Sequence, residues 1–286
     1  MIRLFTDTSA NLPYELIQRH NITVVPFSYT VDEKEVPYDD KTDFDGKTFY
    51  DAMRRGCVIK TSMISVDTYM NYFEPAAAAG DDVLYVGMSS GISGSYNSSC
   101  IAARELKEKY PSVNICTVDT YAASLGEGFM VIKAAELIQK DKTFSEIEDF
   151  LLQMREHVCQ FFTVDDLGYL KKGGRISSAV ALIGSVLNIK PILKGDETGH
   201  IVMCDKARGS KKAITNLADK YAKLAFDKDM RIGIAHADNE SGANLLLELL
   251  RAKGFRGNCL TVCYEPVTGS HVGPGTVALF FYGMHR

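Results

Sequence analysis

The sequence predicts an α/β protein of two domains, an N-terminal open parallel α/β sheet and a C-terminal mixed, largely antiparallel α/β domain. Strand and helix patterns alternate through the first half, as they do in βαβ units. The second half has consecutive strand patterns and a hairpin around "GDETG", which favour antiparallel pairing. A length of 286 residues suits two domains of ordinary size, which we place at residues 1–158 and 159–286.

The first half begins with a strand at residues 3–7 and a helix that Asn11 is expected to cap, with Pro13 in its first turn. "ITVVPFSYTV" is extended, with "DEKEVPYDD" as turn and return, and "TSMIS" indicates a loop between helices. "DDVLYVGMSS" is the near-continuous apolar run of a buried parallel strand, and "VNICTVDT" is the next strand. The other predicted helices cover residues 44–55, 66–79, 96–110, 126–140 and 144–157.

The second half begins with a strand at "CQFFTV", followed by a short turn, a basic glycine corner at "LKKGGRIS" and an apolar helix. The hairpin "IKPILKGDETGHIVMCDKAR" comes next, and then the helix "KKAITNLADKYAKLA". The strand "RIGIAHA", the helix "GANLLLELLRAK" and the strands "CLTVCYEPV" and "TVALFFYG" complete the pattern. We expect a mixed sheet with helices on one face.

Composition excludes several classes of protein. With 46% hydrophobic and 24% charged residues the chain is typical of a soluble globular protein. A net charge of −4 and the lack of a long basic stripe argue against nucleic-acid binding. The most apolar stretch, residues 179–192, is too short to cross a bilayer, and the N-terminus resembles a strand rather than a signal peptide. We therefore expect a cytoplasmic protein without stable membrane insertion.

The seven cysteines give little support for a metal site. A zinc site would need Cys259, Cys263 and His271, but "CLTVC" alternates as a strand does. Reduced, mostly buried thiols are the expected state, with no metal and no cofactor.

The segment "VGMSSGISGSYNSSC" places serines and glycines where a strand turns into a helix. Such a turn binds anions, because the first helical N–H groups are unpaired and carry partial positive charge. Ser93 would add a hydroxyl donor there, and Gly94 would allow close approach of the backbone. A catalytic serine and a plain helix cap remain alternatives. The nucleophile pattern G-x-S-x-G is not met, because Ser95 stands where the second glycine should be.

Three further clusters are candidates for function. Thr61 and Ser62 add short hydroxyl side chains in "KTSMIS", where simple helix capping suits Ser65 better than Thr61. His271 is expected on a loop shaped by the turn "GPG", and a hydrolase would use it as base with Asp119 or Asp165 as orienting acid. The third cluster is the basic corner, either a solvated turn or a docking surface for an acidic partner; its cations are Lys171, Lys172 and Arg175.

Together these residues resemble a known family. "FTDTSANLP", "KTSMIS", "SSGISGSYNSS", "DLGYLKKGGRIS", "LNIKPIL" and "GSHVGPG" occur in the order and spacing of the bacterial DegV family, over essentially the whole chain. The resemblance implies a two-domain α/β protein that buries one long-chain fatty acid between its domains. Some members of the family are fatty-acid-binding subunits of bacterial fatty acid kinase, and they present the carboxyl group to a separate ATP-binding kinase subunit.

The resemblance also implies roles for individual residues. Thr61 and Ser93 would hydrogen-bond the fatty-acid carboxylate, with Ser62 and Gly94 adjacent and His271 in the same polar network. Positions linked to kinase docking correspond to Arg175 and Arg208, with Lys171 and Lys172 beside Arg175. The chain departs from the family pattern in two places, with "TSMIS" for a TSQPS-like loop and "ISGSY" for LSGTY.

The sequence thus predicts a carrier of a palmitate-like acid that works with an ATP-dependent fatty acid kinase subunit and is not itself an enzyme. Two alternatives remain. One is a serine hydrolase acting on acyl esters through Ser93 and His271. The other, by fold analogy alone, is a sugar-binding subunit like that of dihydroxyacetone kinase, with His271 as covalent anchor.

Overall fold

The computed structural model describes residues 1–36, 44–176 and 188–286. Its strands run through both halves of the chain and are numbered in chain order. They are β1 (Ile2–Asp7), β2 (Ile22–Val25), β3 (Ser28–Val31), β4 (Lys34–Val36), β5 (Ile59–Ser62), β6 (Asp82–Gly87), β7 (Ile115–Asp119), β8 (Val158–Thr163), β9 (Ile189–Gly195), β10 (Ile201–Arg208), β11 (Ile232–His236), β12 (Cys259–Cys263) and β13 (Val277–Tyr282).

The strands form three sheets. The first is parallel throughout, in the order β2-β1-β6-β7. The second is mixed, in the order β10-β9-β8-β13-β11-β12, and only its β11–β12 pair is parallel among the described pairs. The third is a small antiparallel sheet in the order β4-β3-β5. The predicted fold class is therefore confirmed.

The helices connect these strands and cover the sheets. They are α1 (Tyr14–Arg19), α2 (Gly46–Arg54), α3 (Val66–Ala78), α4 (Ser95–Lys109), α5 (Leu125–Ile138), α6 (Phe144–Met154), α7 (Gly168–Lys172), α8 (Ser210–Leu224), α9 (Glu240–Ala252) and α10 (Pro266–Val272). Short 3-10 turns occupy Thr8–Ala10 and Arg155–His157. None of the described helices is long and apolar enough to span a bilayer.

Helix α5 lies between the two large sheets. It packs against β1 and β6 of the parallel sheet and against β8, β11 and β13 of the mixed sheet. Its residues are apolar on nearly every side, as a helix buried on all faces requires. Leu125 and Phe129 of α5 share one apolar cluster with Phe162 and Phe280 of the mixed sheet. The two halves of the chain therefore meet through a continuous apolar core.

The predicted arrangement of helices around the mixed sheet is wrong in one respect. Helices α8 and α9 pack on one face, through alternate strand residues such as Phe161 and Leu279. The opposite face, which carries Phe162 and Phe280, is covered by α5 from the other half of the chain. The division at residue 158 remains a prediction, although the described strands of the mixed sheet begin at Val158.

Several local predictions are corrected. Residues of "TSMIS" are not all in a loop, because Ile59–Ser62 forms β5 and pairs with β3. Asn11 does not cap α1; it adopts a left-handed conformation and its side chain bonds to Ser124 Oγ and to the carbonyl of Cys263. The basic corner is partly helical, since α7 ends at Lys172. The predicted apolar helix after Ile176 lies outside the described residues.

Candidate functional site

The serine turn follows β6 and leads into α4. Ser93 is buried, and its Oγ lies 2.9 Å from Ser95 Oγ and accepts the backbone N–H of Ser95 at 3.2 Å. Ser95 Oγ in turn accepts the backbone N–H of Ile64 at 3.0 Å. When the Ser95 hydroxyl donates to Ser93, the Ser93 proton is free to donate to a ligand. In that arrangement the turn holds Ser93 as an oriented hydrogen-bond donor.

A second hydroxyl is oriented by a histidine. The pairing of β5 with β3 fixes Thr61, whose Oγ1 lies 2.9 Å from His271 Nε2. The sequence predicted a loop position for His271, but this residue lies near the end of α10. Glu265 begins that helix by accepting the backbone N–H groups of Val267 at 2.5 Å and Thr268 at 2.7 Å. The Glu265 cap at the start of α10 and the pairing of β5 with β3 together bring Thr61 and His271 into contact.

Burial keeps His271 neutral. Removal from water, and secondarily the positive charge of Arg175, lower the pKa of His271 to about 4. The ring also packs directly on Gly173, where an added Cβ would lie 2.3 Å from His271 Nδ1. A neutral ring carries one N–H. With that proton on Nε2, His271 donates to Thr61 Oγ1 and the Thr61 hydroxyl is free to donate to a ligand.

These groups line one narrow cavity. The empty volume of the cavity, including its open mouth, is about 730 Å³. The cavity is narrow, because the centre of a water molecule fits in only about 60 Å³ of it. Polar groups of the lining include Thr61, Ser62, Ser93 and His271. The rest is mainly apolar and comes from both halves of the chain, including Phe27, Met88, Ile92, Phe162, Leu170, Ile201, Val267, Val272 and Phe280. Such a space suits a slender apolar ligand with one polar end.

The other predicted site residues lie at or beyond the mouth. Ser62 is an exposed lining residue, and Gly94 is exposed at the N-cap of α4. Lys171 and Lys172 are exposed at the end of α7, and Arg208 is exposed at the end of β10. Neither these three cations nor Gly94 belongs to the cavity lining that the described residues provide.

Arg175 differs from its basic neighbours because it lines the cavity. Its Nε donates to the carbonyl of Ile92 at 3.1 Å, and its Nη1 donates to the carbonyl of Gly173. The side chain is half-buried, and burial lowers its pKa from the usual value. Since His271 is neutral, Arg175 supplies the positive charge of the described lining.

Sequence reasoning missed further polar lining residues, among them Thr268 and Ser124. Thr268 Oγ1 is buried in the cavity wall without a hydrogen-bond partner among the described residues. A buried hydroxyl without a partner indicates a place for a ligand or water. Thr268 precedes His271 by three residues on the same helix, and this spacing indicates that both side chains lie on one face. Ser124, at the start of α5, has a positive φ of 52° and could not be found from sequence pattern.

The motif "FTDTSANLP" forms a buried acidic cluster behind the cavity. Asp7 accepts the Tyr85 hydroxyl at 2.6 Å and the Met88 N–H at 3.1 Å, and Met88 lines the cavity. Ser9 Oγ lies 2.5 Å from Asp7 Oδ1 and 2.6 Å from Glu127 Oε2. One hydroxyl proton cannot serve two carboxylates, so one carboxyl must be protonated. Burial raises the pKa of both acids and raises that of Glu127 well above its usual value.

Metal ligation has no structural support in the part of the chain that the structure describes. No group of three or more His, Cys, Asp or Glu side chains there could hold a metal ion. Cys259 and Cys263 lie on β12, and all seven cysteines are free thiols.

Comparison with known proteins gives consistent matches over the whole chain. A family model described as "Uncharacterised protein, DegV family" matches residues 1–283. A DegV domain-containing protein of Clostridium perfringens is 37% identical over 281 residues, which are 98% of this chain and 97% of that protein. Protein DegV of Bacillus subtilis is 32% identical over 283 residues, covering 97% of this chain and 98% of that protein.

Solved structures of similar fold include proteins described as binding fatty acids. A fatty-acid-binding DegV family protein from Thermus thermophilus matches with a TM-score of 0.88 and 30% identity, covering 99% of both chains. The fatty-acid-binding DegV family protein from Streptococcus agalactiae matches with a TM-score of 0.87 and 29% identity, covering 98% of both. The fatty-acid-binding DegV protein of Bacillus subtilis matches with a TM-score of 0.82 and 32% identity, also covering 98% of both.

Proposed function

The chain belongs to the DegV family, and we propose that it binds one long-chain fatty acid with the carboxylate on Thr61 and Ser93. The observation that carries the proposal is that the hydroxyl groups of Thr61 and Ser93, each held by a side-chain partner, line one mainly apolar cavity. Two hydroxyl groups and a neutral histidine satisfy a carboxylate without placing a fixed charge directly against it. The fatty-acid binding described for the solved relatives supports the same ligand class.

Burial of the acyl chain supplies the main driving force. At about 0.8 kcal/mol per methylene, a palmitate-like tail of about fourteen methylenes contributes about 11 kcal/mol before the entropic cost of association. The narrow cavity must widen around such a chain, and the flexible side chains of Met63 and Met88 in its lining can adapt. Binding needs no covalent bond to the protein and no cofactor.

We propose further that the bound carboxylate is presented to a separate ATP-dependent kinase subunit in the cytoplasm. A carboxylate oxygen would attack the γ-phosphorus of ATP, forming an acyl phosphate and releasing ADP. The exposed positions of Ser62 and Gly94 beside the polar end support access from solvent. The cations outside the cavity, Lys171, Lys172 and Arg208, would guide docking, an effect that salt screens. Arg175 would contribute at the mouth of the cavity itself.

The docking role is tested with a residue outside the cavity. Arg208→Glu should leave the fatty-acid content intact and slow acyl-phosphate formation by a cognate kinase subunit at low salt. Arg104→Glu, an exposed change on α4, is the control. Unchanged kinetics for Arg208→Glu would remove this residue from the docking surface. Arg175 is unsuitable here, because a carboxylate at this lining position would repel the ligand as well.

The hydrolase alternative has no support from the site. His271 contacts Thr61, and the hydrogen bonds of Ser93 Oγ go to Ser95. A histidine with a pKa of about 4 is also a weak general base at neutral pH. Ser93→Ala should therefore weaken fatty-acid binding, and we expect no esterase activity in either the wild type or this variant. Esterase activity lost in both Ser93→Ala and His271→Ala would overturn the carrier function.

The ligand itself is tested by organic extraction of gently purified protein followed by mass spectrometry. We expect about one long-chain fatty acid per chain, held in the cavity that Thr61 and Ser93 line. Recovery of only water-soluble ligands would contradict the proposal.

A further inference from the structure

A second cavity lies farther along α5 from the polar site, and we propose that it binds an anionic single-chain amphiphile. We call it the distal groove; the centre of a water molecule can occupy about 610 Å³ within it. It shares no described lining residue with the first cavity. Ser124 and Phe280 line the first cavity, whereas Phe129 of α5 and Tyr282 of β13 line the distal groove. The two sites therefore lie along the same contact between α5 and the mixed sheet.

The walls of the distal groove are mainly apolar and come from both halves of the chain. Phe226 is 71% exposed and Phe150 is 40% exposed, and exposed apolar side chains grouped around one groove indicate a binding surface. Between them the groove reaches side chains that are almost fully buried, such as Phe129 and Ile132. A concave apolar surface of this volume fits the tail of a small molecule.

The charges of the groove favour an anion. Lys133 is paired with Glu136 at 3.2 Å, so these two charges offset each other. Arg231 also lines the groove, and among the described residues it has no hydrogen bond and no ion pair. His157 Nδ1 lies 3.2 Å and 3.1 Å from the carbonyls of Gly283 and Met284, so this nitrogen donates to them. The groove therefore offers one cation without a protein partner beside an apolar wall.

This combination defines the ligand class. An apolar tail can lie on the aromatic and aliphatic side chains while an anionic head group reaches the Arg231 guanidinium. The first site differs, because its carboxylate ligand is proposed to bind directly to the neutral hydroxyl groups of Thr61 and Ser93, with Arg175 at the mouth, and hydrogen bonds to neutral groups depend little on ionic strength. Binding in the distal groove should instead weaken as ionic strength rises. The proposal does not rest on the function of the first site.

The test is a fluorescence titration with dansyl-labelled undecanoate, using protein loaded with one equivalent of oleate in the first cavity and freed of unbound oleate by gel filtration. We expect saturable binding of one further equivalent. Phe226→Asp and Phe150→Asp should each weaken it about tenfold or more, since each places a carboxylate against an apolar tail. Arg231→Gln should weaken it about two- to fivefold and remove most of the salt dependence.

Matched controls separate the groove from the rest of the surface. Ile101→Asp changes an apolar residue on α4 that is 38% exposed, and Arg104→Gln removes an exposed cation from the same helix. Both should bind the probe as the wild type does. Phe226→Asp should leave the oleate content of the first cavity unchanged while it weakens probe binding, so failure of the first site and failure of the distal groove are distinguishable.

Four outcomes would overturn the proposal. They are the absence of saturable probe binding, an equal loss in Ile101→Asp, and equal affinity for dodecyltrimethylammonium, a cationic amphiphile with a similar tail. The fourth is adsorption to phosphatidylglycerol vesicles without binding of the monomeric probe, which would indicate a lipid surface as the partner.

Discussion

Replacing Thr61 by valine tests the polar end of the first cavity most sharply. The change removes the hydroxyl that His271 orients and keeps a β-branched side chain of similar size on β5. A hydrogen bond to a charged group contributes about 1.5–3 kcal/mol, so the affinity for a long-chain fatty acid should fall about 10- to 150-fold. The measurement is a calorimetric titration of delipidated protein with palmitate.

A matched control lies on the neighbouring strand. Thr30 on β3 has a buried hydroxyl without a hydrogen-bond partner among the described residues, and it does not line the cavity. Thr30→Val removes the same chemical group from the same small sheet and should leave the affinity unchanged. An affinity of Thr61→Val within about twofold of the wild type would refute the role of this hydroxyl. An equal loss in both variants would indicate damage to the sheet instead.

Three further predictions concern the groups around this site. Gly173→Ala would place a Cβ 2.3 Å from His271 Nδ1 and push the ring from Thr61, so palmitate affinity should fall, with no additional fall in a His271→Ala background. Burial raises the pKa of Glu265 from 4.5 to about 7. Stability is thus full below 4.5 and falls by about 3 kcal/mol as the pH rises through about 7, and urea unfolding of Glu265→Gln should lack that fall. The lowered pKa of His271 works in the opposite direction: stability is full above 6.5 and falls as the pH drops toward about 4, and His271→Gln should lack this acid-side loss. An unchanged pH profile in either variant would contradict the assigned ionisation.

The parallel half of the fold is predictable because its signals are local. The apolar run before the serine turn gives β6, and the turn itself begins α4 at Ser95. Ser93 was therefore found at the place where a strand ends and a helix begins. In the same way, the hairpin around "GDETG" gives the antiparallel pair of β9 and β10.

The errors arise where distant parts of the chain decide the local structure. Thr61 lies in a strand because β5 pairs with β3, across a sequence separation that no local pattern reveals. Asn11 was expected as a cap, but its side chain instead holds Cys263 and Ser124. The sequence "EPVTGSH" does contain a local signal for α10, a capping acid followed by proline.

Side-chain direction is the second limit. Lys171, Lys172 and Arg175 are nearly adjacent in sequence, yet only Arg175 among them turns into the cavity lining. The distal groove likewise joins Phe226 and Phe150, which no spacing rule connects.

A crystal structure of the protein purified without added lipid tests the central claim most directly. We predict continuous density for one acyl chain in the first cavity, with its carboxylate within hydrogen-bonding distance of Thr61 Oγ1 and Ser93 Oγ. Density for a water-soluble ligand there, or an acyl chain with its carboxylate away from both hydroxyls, would contradict the account.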